Sequence, residues 1–69
     1  MPFIQATILQ GRSAEQKAEF FARVTQVAVE TLNVKPEQVR VVITEVAPEH
    51  WCIGGLSKAE LDQRAAEQA

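Results

Sequence analysis

The run VRVVITEV at residues 39–46 decides the fold of this 69-residue chain, because it is the strongest strand signal in the sequence. A second run rich in strand-forming residues, FIQATIL at residues 3–9, stops at Gln10-Gly11. Its apolar side chains fall on both faces, which is typical of a strand that becomes buried on both sides. The sequence therefore predicts two strands separated by about thirty residues.

An amphipathic helix is predicted between these strands. Ser13 and Gln16 have the capping-box spacing that marks the start of a helix. Apolar residues then recur three and four positions apart, namely Ala18, Phe21, Val24, Ala28 and Leu32, and this stripe is widened by Phe20, Val27 and Thr31. The helix should end near Asn33, a suitable left-handed C-cap, since Pro36 prevents continuation. Strand, helix and strand predict one α/β domain over residues 1–69, a β-α-β unit with parallel strands and a right-handed crossover.

The carboxyl-terminal part is expected to form a short hairpin or helix. Gly54-Gly55 follow His50-Trp51-Cys52-Ile53 and favour a loop or tight hairpin. Ser57 and Glu60 form a second capping-box pattern, which predicts a short helix through Leu61 and Ala65.

A chain this short needs support from outside its own core, which rarely supplies more than roughly 3–5 kcal/mol of net stability. The single cysteine, Cys52, excludes an internal disulfide, and His50 with Cys52 is too few ligands for a tetrahedral zinc site within one chain. Two parallel strands and one helix also leave two open sheet edges and one uncovered face. We therefore expect an oligomer, with an active site assembled from more than one subunit.

Charge and hydropathy exclude two classes of partner. The formal net charge is −2, and no basic run could follow a phosphate backbone, so nucleic acid is not an expected partner. No apolar stretch approaches the roughly 20 residues that span a bilayer, and the amino terminus lacks the features of a signal peptide. These observations and the lone thiol predict a cytoplasmic protein without a membrane partner.

Pro2 is the first candidate for chemistry. It could simply initiate a strand, where a missing N–H costs nothing. If Met1 is excised, as is normal before a small residue, Pro2 instead carries a free secondary amine. An apolar site and nearby cations would both lower the pKa of this amine towards the operating pH of a general base.

Two arginines are the candidate cations and anion ligands. Arg12 directly precedes the helix cap, where it is either an exposed, screened arginine or an anion clamp beside the free helix N–H groups. Arg40 opens an apolar strand and could pair with Glu37 or Glu45 on a surface. Alternatively, its planar guanidinium binds a carboxylate through two hydrogen bonds.

Trp51 is either an interface anchor or an apolar wall that desolvates the amine, and it could be both. His50 and Cys52 could form a nucleophile pair only with difficulty, because alternate residues of an extended segment point to opposite faces. A loop imidazole and a small hydrophobic residue is the simpler interpretation.

Taken together, these segments resemble the 4-oxalocrotonate tautomerase family. The fragments that carry the resemblance are Pro2 after Met1, LQGRS at 9–13 leading to EQK at 15–17, VRVVITE at 39–45 and HWCIGG at 50–55. They occur in the family's order and spacing over residues 2 to about 55. Trp51 departs from the phenylalanine that is common in the family, and the tail from Leu56 onward does not follow the family pattern.

The resemblance implies a β-α-β subunit that assembles into a homo-hexamer, a trimer of dimers, and catalyses isomerisation without cofactor or metal. It implies that Pro2 is the base, that Arg12 binds the distal carboxylate of the substrate, and that Arg40 binds the proximal carboxylate and the 2-oxygen. Leu9, Trp51 and Ile53 are expected to contact the substrate. The expected substrate is a small dicarboxylate or 2-oxo acid such as 2-hydroxymuconate, an intermediate of aromatic hydrocarbon catabolism.

Two other functions stay open. Family members that hydrate and dehalogenate haloacrylates use a protonated terminal proline and an acidic residue that activates water, for which Glu45 is the nearest candidate here. A non-enzymatic oligomeric binding module, with a purely structural Pro2, is the second alternative.

Overall fold

A computed structural model describes residues 1–68. Strand β1 (Phe3–Leu9) leads into helix α1 (Ala14–Leu32), and strand β2 (Arg40–Val46) follows a short 3-10 turn at Pro36–Gln38. A second 3-10 turn at Pro48–His50 precedes the two-residue strands β3 (Cys52–Ile53) and β4 (Leu56–Ser57), and helix α2 (Lys58–Gln68) comes last. The predicted α/β class and the β-α-β unit are confirmed, and the carboxyl-terminal part contains both a hairpin and a helix.

Strands β1 and β2 pair in parallel, from Phe3 opposite Arg40 to Leu9 opposite Val46. Residues opposite one another share a face, so the alternation of side chains along each strand gives the sheet two faces with different residues. One face carries Ile4, Ala6, Ile8, Val41, Ile43 and Glu45 and lies towards α1. The other face is uncovered, with Phe3 61% and Val42 41% exposed.

The ends of α1 are fixed as the sequence predicted. The Ser13 hydroxyl accepts from the Gln16 N–H at 3.1 Å, and the Gln16 side chain accepts from the Ser13 N–H at 2.9 Å. Asn33 ends the helix with φ 56° and ψ 51°. Glycine and asparagine adopt this left-handed backbone conformation most readily.

The hairpin and α2 differ in detail from the sequence expectation. Gly54 and Gly55 form the two-residue turn with φ values of 62° and 90°, which side-chain-bearing residues adopt only with strain. The Ser57 hydroxyl accepts from the Glu60 N–H at 3.1 Å, but the Glu60 carboxylate pairs with Arg64 instead of completing a capping box. Helix α2 also continues past Ala65, because side-chain pairs four residues apart support its exposed turns.

The described chain is elongated and poorly buried. Its radius of gyration is 16.2 Å, against about 11 Å for a compact domain of this length. Ala28 is the one hydrophobic residue that is fully buried among those described, while Val27 and Leu32 on α1 are 59% and 58% exposed. The apolar stripe of α1 that the sequence predicts is therefore only partly covered within one chain.

Candidate active site

Pro2 and Arg40 lie side by side at the amino end of the sheet. The backbone N–H of Arg40 donates to the Pro2 carbonyl oxygen at 3.0 Å, directly before the ladder in which Phe3 is opposite Arg40. Pro2 is half-buried, whereas Met1 before it is 80% exposed. The parallel ladder thus fixes the position of Pro2 through the backbone, and Met1 projects into open space.

The Arg40 side chain is exposed, on the uncovered face of the sheet. Its Nη1 donates to the carbonyl oxygen of Glu37 at 2.6 Å and to that of Val39 at 3.4 Å. Within residues 1–68 it forms no ion pair, so the pairing with Glu37 or Glu45 that the sequence left open is not made. The guanidinium keeps most of its donors free for an anion.

Arg12 lies at the other end of the sheet, in the loop between Leu9 and Ser13. Six steps of about 3.3 Å each lead from Phe3 to Leu9, so roughly 20 Å separates the two ends of the strand. Pro2 and Arg12 of one chain therefore cannot contact the same small molecule. If both act on one substrate, they belong to different subunits.

Arg12 lines a cavity of about 190 Å³ between α1 and the covered face of the sheet. Its other lining residues are Ile8, Gln16, Lys17, Phe20 and Ile43. Of the six lining residues, three are apolar, two (Arg12 and Lys17) are cationic, and Gln16 is polar and neutral. A ligand suited to this cavity would carry a negative charge on a hydrocarbon body.

Leu9, Trp51 and Ile53 are the remaining candidates from the sequence. Leu9 is half-buried at the carboxyl end of β1, opposite Val46. Trp51 is half-buried between the second 3-10 turn and β3, where its carbonyl oxygen accepts from the Lys58 N–H at 2.6 Å. Ile53 is 53% exposed on β3. Pro2 directly precedes β1, whereas Leu9 ends β1 and both Trp51 and Ile53 come after the end of β2. This arrangement also fits a site shared between chains.

Glu45, the candidate for activating water, is bound elsewhere. Its carboxylate accepts from Lys17 Nζ at 3.0 Å on the face of the sheet covered by α1. Glu45 lies five positions after Arg40 on β2, about 17 Å along the strand. Glu45 of the same chain is thus out of reach of Pro2.

Lys17 was missed by the sequence reasoning, although a signal existed. Strand alternation places Glu45 on the same face as Val41 and Ile43, which α1 covers. A carboxylate on such a face needs a cation, and Lys17 on the first turns of α1 is in position to provide one.

Two structural findings concern metals and membranes. Within residues 1–68, the structure contains no cluster of three or more histidine, cysteine, aspartate or glutamate side chains that could hold a metal ion. In the same part of the chain, neither helix combines the length and the apolar character needed to cross a membrane.

Comparison with known proteins gives one consistent result. The family model described as "Tautomerase enzyme" matches residues 2–61. A 2-hydroxymuconate tautomerase of Comamonas testosteroni is 44% identical over 61 residues, covering 88% of this chain and 97% of its own. A probable tautomerase of Ralstonia nicotianae is 46% identical over 59 residues, covering 86% of this chain and 84% of its own.

Solved structures agree with the sequence relatives. A heterohexameric 4-oxalocrotonate tautomerase from Chloroflexus aurantiacus has a TM-score of 0.83 and 44% identity, covering 88% of this chain and 98% of its own. TomN, a 4-oxalocrotonate tautomerase homologue in tomaymycin biosynthesis, has a TM-score of 0.84 at 44% identity, covering 93% of this chain and 95% of its own.

Proposed function

The chain belongs to the tautomerase family of isomerases, and we propose that it moves a proton within a 2-hydroxy-dienoate such as 2-hydroxymuconate. The observation that carries this proposal is the backbone bond between Pro2 and Arg40, which pairs the residue that would carry the amine base with a residue whose guanidinium has free donors. The naming of relatives as 2-hydroxymuconate tautomerases supports the substrate class. Degradation of aromatic hydrocarbons is the corresponding metabolic setting.

Pro2 is the proposed base, after removal of Met1. Its neutral amine takes the proton of the 2-hydroxyl group, and the electrons of that O–H bond form the 2-oxo group. The C2–C3 double bond moves to C3–C4. The C4–C5 double bond breaks, and its electrons form the new C–H bond at carbon 5 with the proton from the Pro2 ammonium. The product is the conjugated 2-oxo isomer, and the amine returns to its neutral form without a cofactor or metal.

The two arginines have different proposed tasks. Arg40 binds the proximal carboxylate and the 2-oxygen, where negative charge develops, and so stabilises the transition state electrostatically. Arg12 binds the distal carboxylate, whose charge does not change during the reaction, and so positions the chain of the substrate. Leu9, Trp51 and Ile53 supply the apolar surface around the dienoate.

Several copies of the chain form the proposed site, and we favour a homo-hexamer. The separation of Pro2 and Arg12 by the length of β1 requires at least two subunits if they share one substrate. The exposed face with Phe3 and Val42, and the exposed Val27 and Leu32 of α1, provide apolar surface for such contacts. The heterohexamer of the Chloroflexus relative supports the number of subunits.

The experiment combines intact mass, assembly state and activity on one sample. We expect the mass of a chain without Met1, light scattering that reports six subunits at micromolar concentration, and rapid ketonisation of 2-hydroxymuconate followed by ultraviolet absorbance. The rate should rise with pH as the Pro2 amine loses its proton, through a pKa below the usual 7.7–8.0 of an α-amino group. Full activity of a monomer, or of a chain that keeps Met1, would contradict the proposal.

A parallel assay with a haloacrylate separates the hydratase alternative, which is disfavoured by the engagement of Glu45 with Lys17. Faster turnover of the haloacrylate would favour that alternative. No turnover of either substrate would favour a binding module.

A further inference from the structure

Lys17 connects two cavities on the covered side of the sheet. It lines the Arg12 cavity, together with Gln16 and the apolar residues described above. It also lines a neighbouring, more open cavity of about 380 Å³, whose wall includes Glu45. Ile43 lines both cavities as well, so Lys17 and Ile43 together form the partition between the two spaces, and Lys17 is the charged residue of the two.

The charges on the two sides of this partition are unequal. The Arg12 cavity is lined by two cationic side chains, Arg12 and Lys17, and, within residues 1–68, by no acidic side chain. Glu45 binds the Lys17 ammonium at 3.0 Å from the second cavity, and the side chains of the pair are 28% and 33% exposed. Lys17 thus adds positive charge to the Arg12 cavity, and Glu45 partly compensates that charge from behind.

The other groups around Arg12 do not provide this charge. Gln16 is neutral, and its side-chain oxygen is occupied by the Ser13 N–H at 2.9 Å. The free N–H groups of the first turn of α1 carry only the partial charge of the helix dipole. Lys17 is therefore the second full cation of the cavity.

We infer that Lys17 is a specificity-determining residue, which together with Arg12 selects substrates that carry a second carboxylate. Glu45 sets how strongly the Lys17 ammonium attracts that carboxylate. This inference rests on the proposed function, because it assigns the Arg12 cavity to the distal end of the substrate. It differs from a purely structural role for the ion pair, in which Lys17 and Glu45 would only brace α1 against β2.

The specificity role and the structural role predict different changes in dicarboxylate affinity for two substitutions. Lys17→Met removes a cation from the cavity and keeps the aliphatic wall, so dicarboxylates should bind more weakly. Glu45→Gln removes the compensating charge and keeps the shape, so dicarboxylates should bind equally well or more tightly. If the pair is only a brace, both variants break it and both should weaken binding.

The measurement uses cis,cis-muconate, a six-carbon dicarboxylate without the reactive 2-hydroxyl, bound to the assembled protein in a calorimeter. We expect the Kd to rise about fivefold for Lys17→Met, which corresponds to roughly 1 kcal/mol for a partly screened charge. Arg23→Met is the matched control, because it removes one positive charge from an exposed ion pair with Glu19 away from the cavity. It should leave the Kd within experimental error.

A kinetic measurement gives an independent readout in the same variants. Lys17→Met should raise KM for 2-hydroxymuconate with little change in kcat, and should leave KM unchanged for the matching 2-hydroxy-dienoate without the distal carboxylate. An inactive wild-type enzyme would refute the proposed function but leave the muconate titration as the test of the cavity. No saturable binding of muconate to the wild type, no effect of Lys17→Met, or equal weakening by Lys17→Met and Glu45→Gln would each overturn the inference.

Discussion

The two ends of the sheet are built by different means. At the amino end, Pro2 and Arg40 are placed by the parallel ladder, through a bond between backbone atoms. At the carboxyl end, Arg12 and Lys17 are placed by the start of α1, through a capping box and a side-chain ion pair. Backbone atoms thus fix the region proposed for proton transfer, whereas side chains build the region proposed for selecting an anion.

The largest effect among single substitutions is expected at the amino end. In the proposed mechanism, Arg40 donates to the oxygen on which charge develops. Arg40→Ala should therefore lower both kcat and kcat/KM, by roughly 10²–10³ or about 2.7–4 kcal/mol. The loss should be similar for substrates with one and with two carboxylates. Steady-state kinetics on both substrates measures it, and an effect confined to KM would mean that Arg40 only binds the substrate.

A smaller and more selective effect is expected at the carboxyl end. In the proposed mechanism, Arg12 binds a carboxylate whose charge does not change. Arg12→Ala should therefore raise KM for the dicarboxylate by about 10–160-fold, or 1.5–3 kcal/mol, with kcat less affected. Kinetics with the monocarboxylate substrate is the control, since that substrate lacks the contact. Equal losses of kcat/KM for the two substrates would show that Arg12 does not hold the distal carboxylate.

Local signals in the sequence were sufficient to predict most of the fold. The Ser13 box and the bounds of strand β1 are confirmed to the residue, and α1 ends beside a left-handed Asn33 as expected. The two helix ends are determined by neighbours within four positions, and β1 is marked by its own strand-forming residues. Strand β2 begins at Arg40, one residue later than expected, since Val39 is still bound to the preceding turn. The Ser57 box is only half formed because the Glu60 side chain has a competing partner in Arg64.

The candidate site was less accessible from sequence for a physical reason. Each of Pro2 and Arg40 was a candidate from its own position in the sequence, but the two come together only through strand pairing across thirty-eight positions, and the family resemblance alone assigned them to one site. The distance between Pro2 and Arg12 follows from the length of β1. Lys17 acquires its place from tertiary packing against Glu45, which periodicity alone does not specify.

The central claim is that one active site combines the Pro2 of one subunit with the Arg12 of another, and mixing two defective chains tests it directly. One chain carries an uncleaved amino-terminal tag that blocks Pro2, and the other carries Arg12→Ala. Assembled alone, the tagged chain should be nearly inactive, and the Arg12→Ala chain should have a kcat/KM for the dicarboxylate at least about tenfold below wild type. After joint refolding, with mixed hexamers verified by native mass spectrometry, about a quarter of the sites should pair an intact Pro2 with an intact Arg12.

The account predicts that activity in the mixed hexamers recovers to about a quarter of the wild-type kcat/KM, with a wild-type KM for the recovered sites. Mixed oligomers whose kcat/KM stays at the level of the two parents would contradict it, because Pro2 and Arg12 would then have to act within one chain.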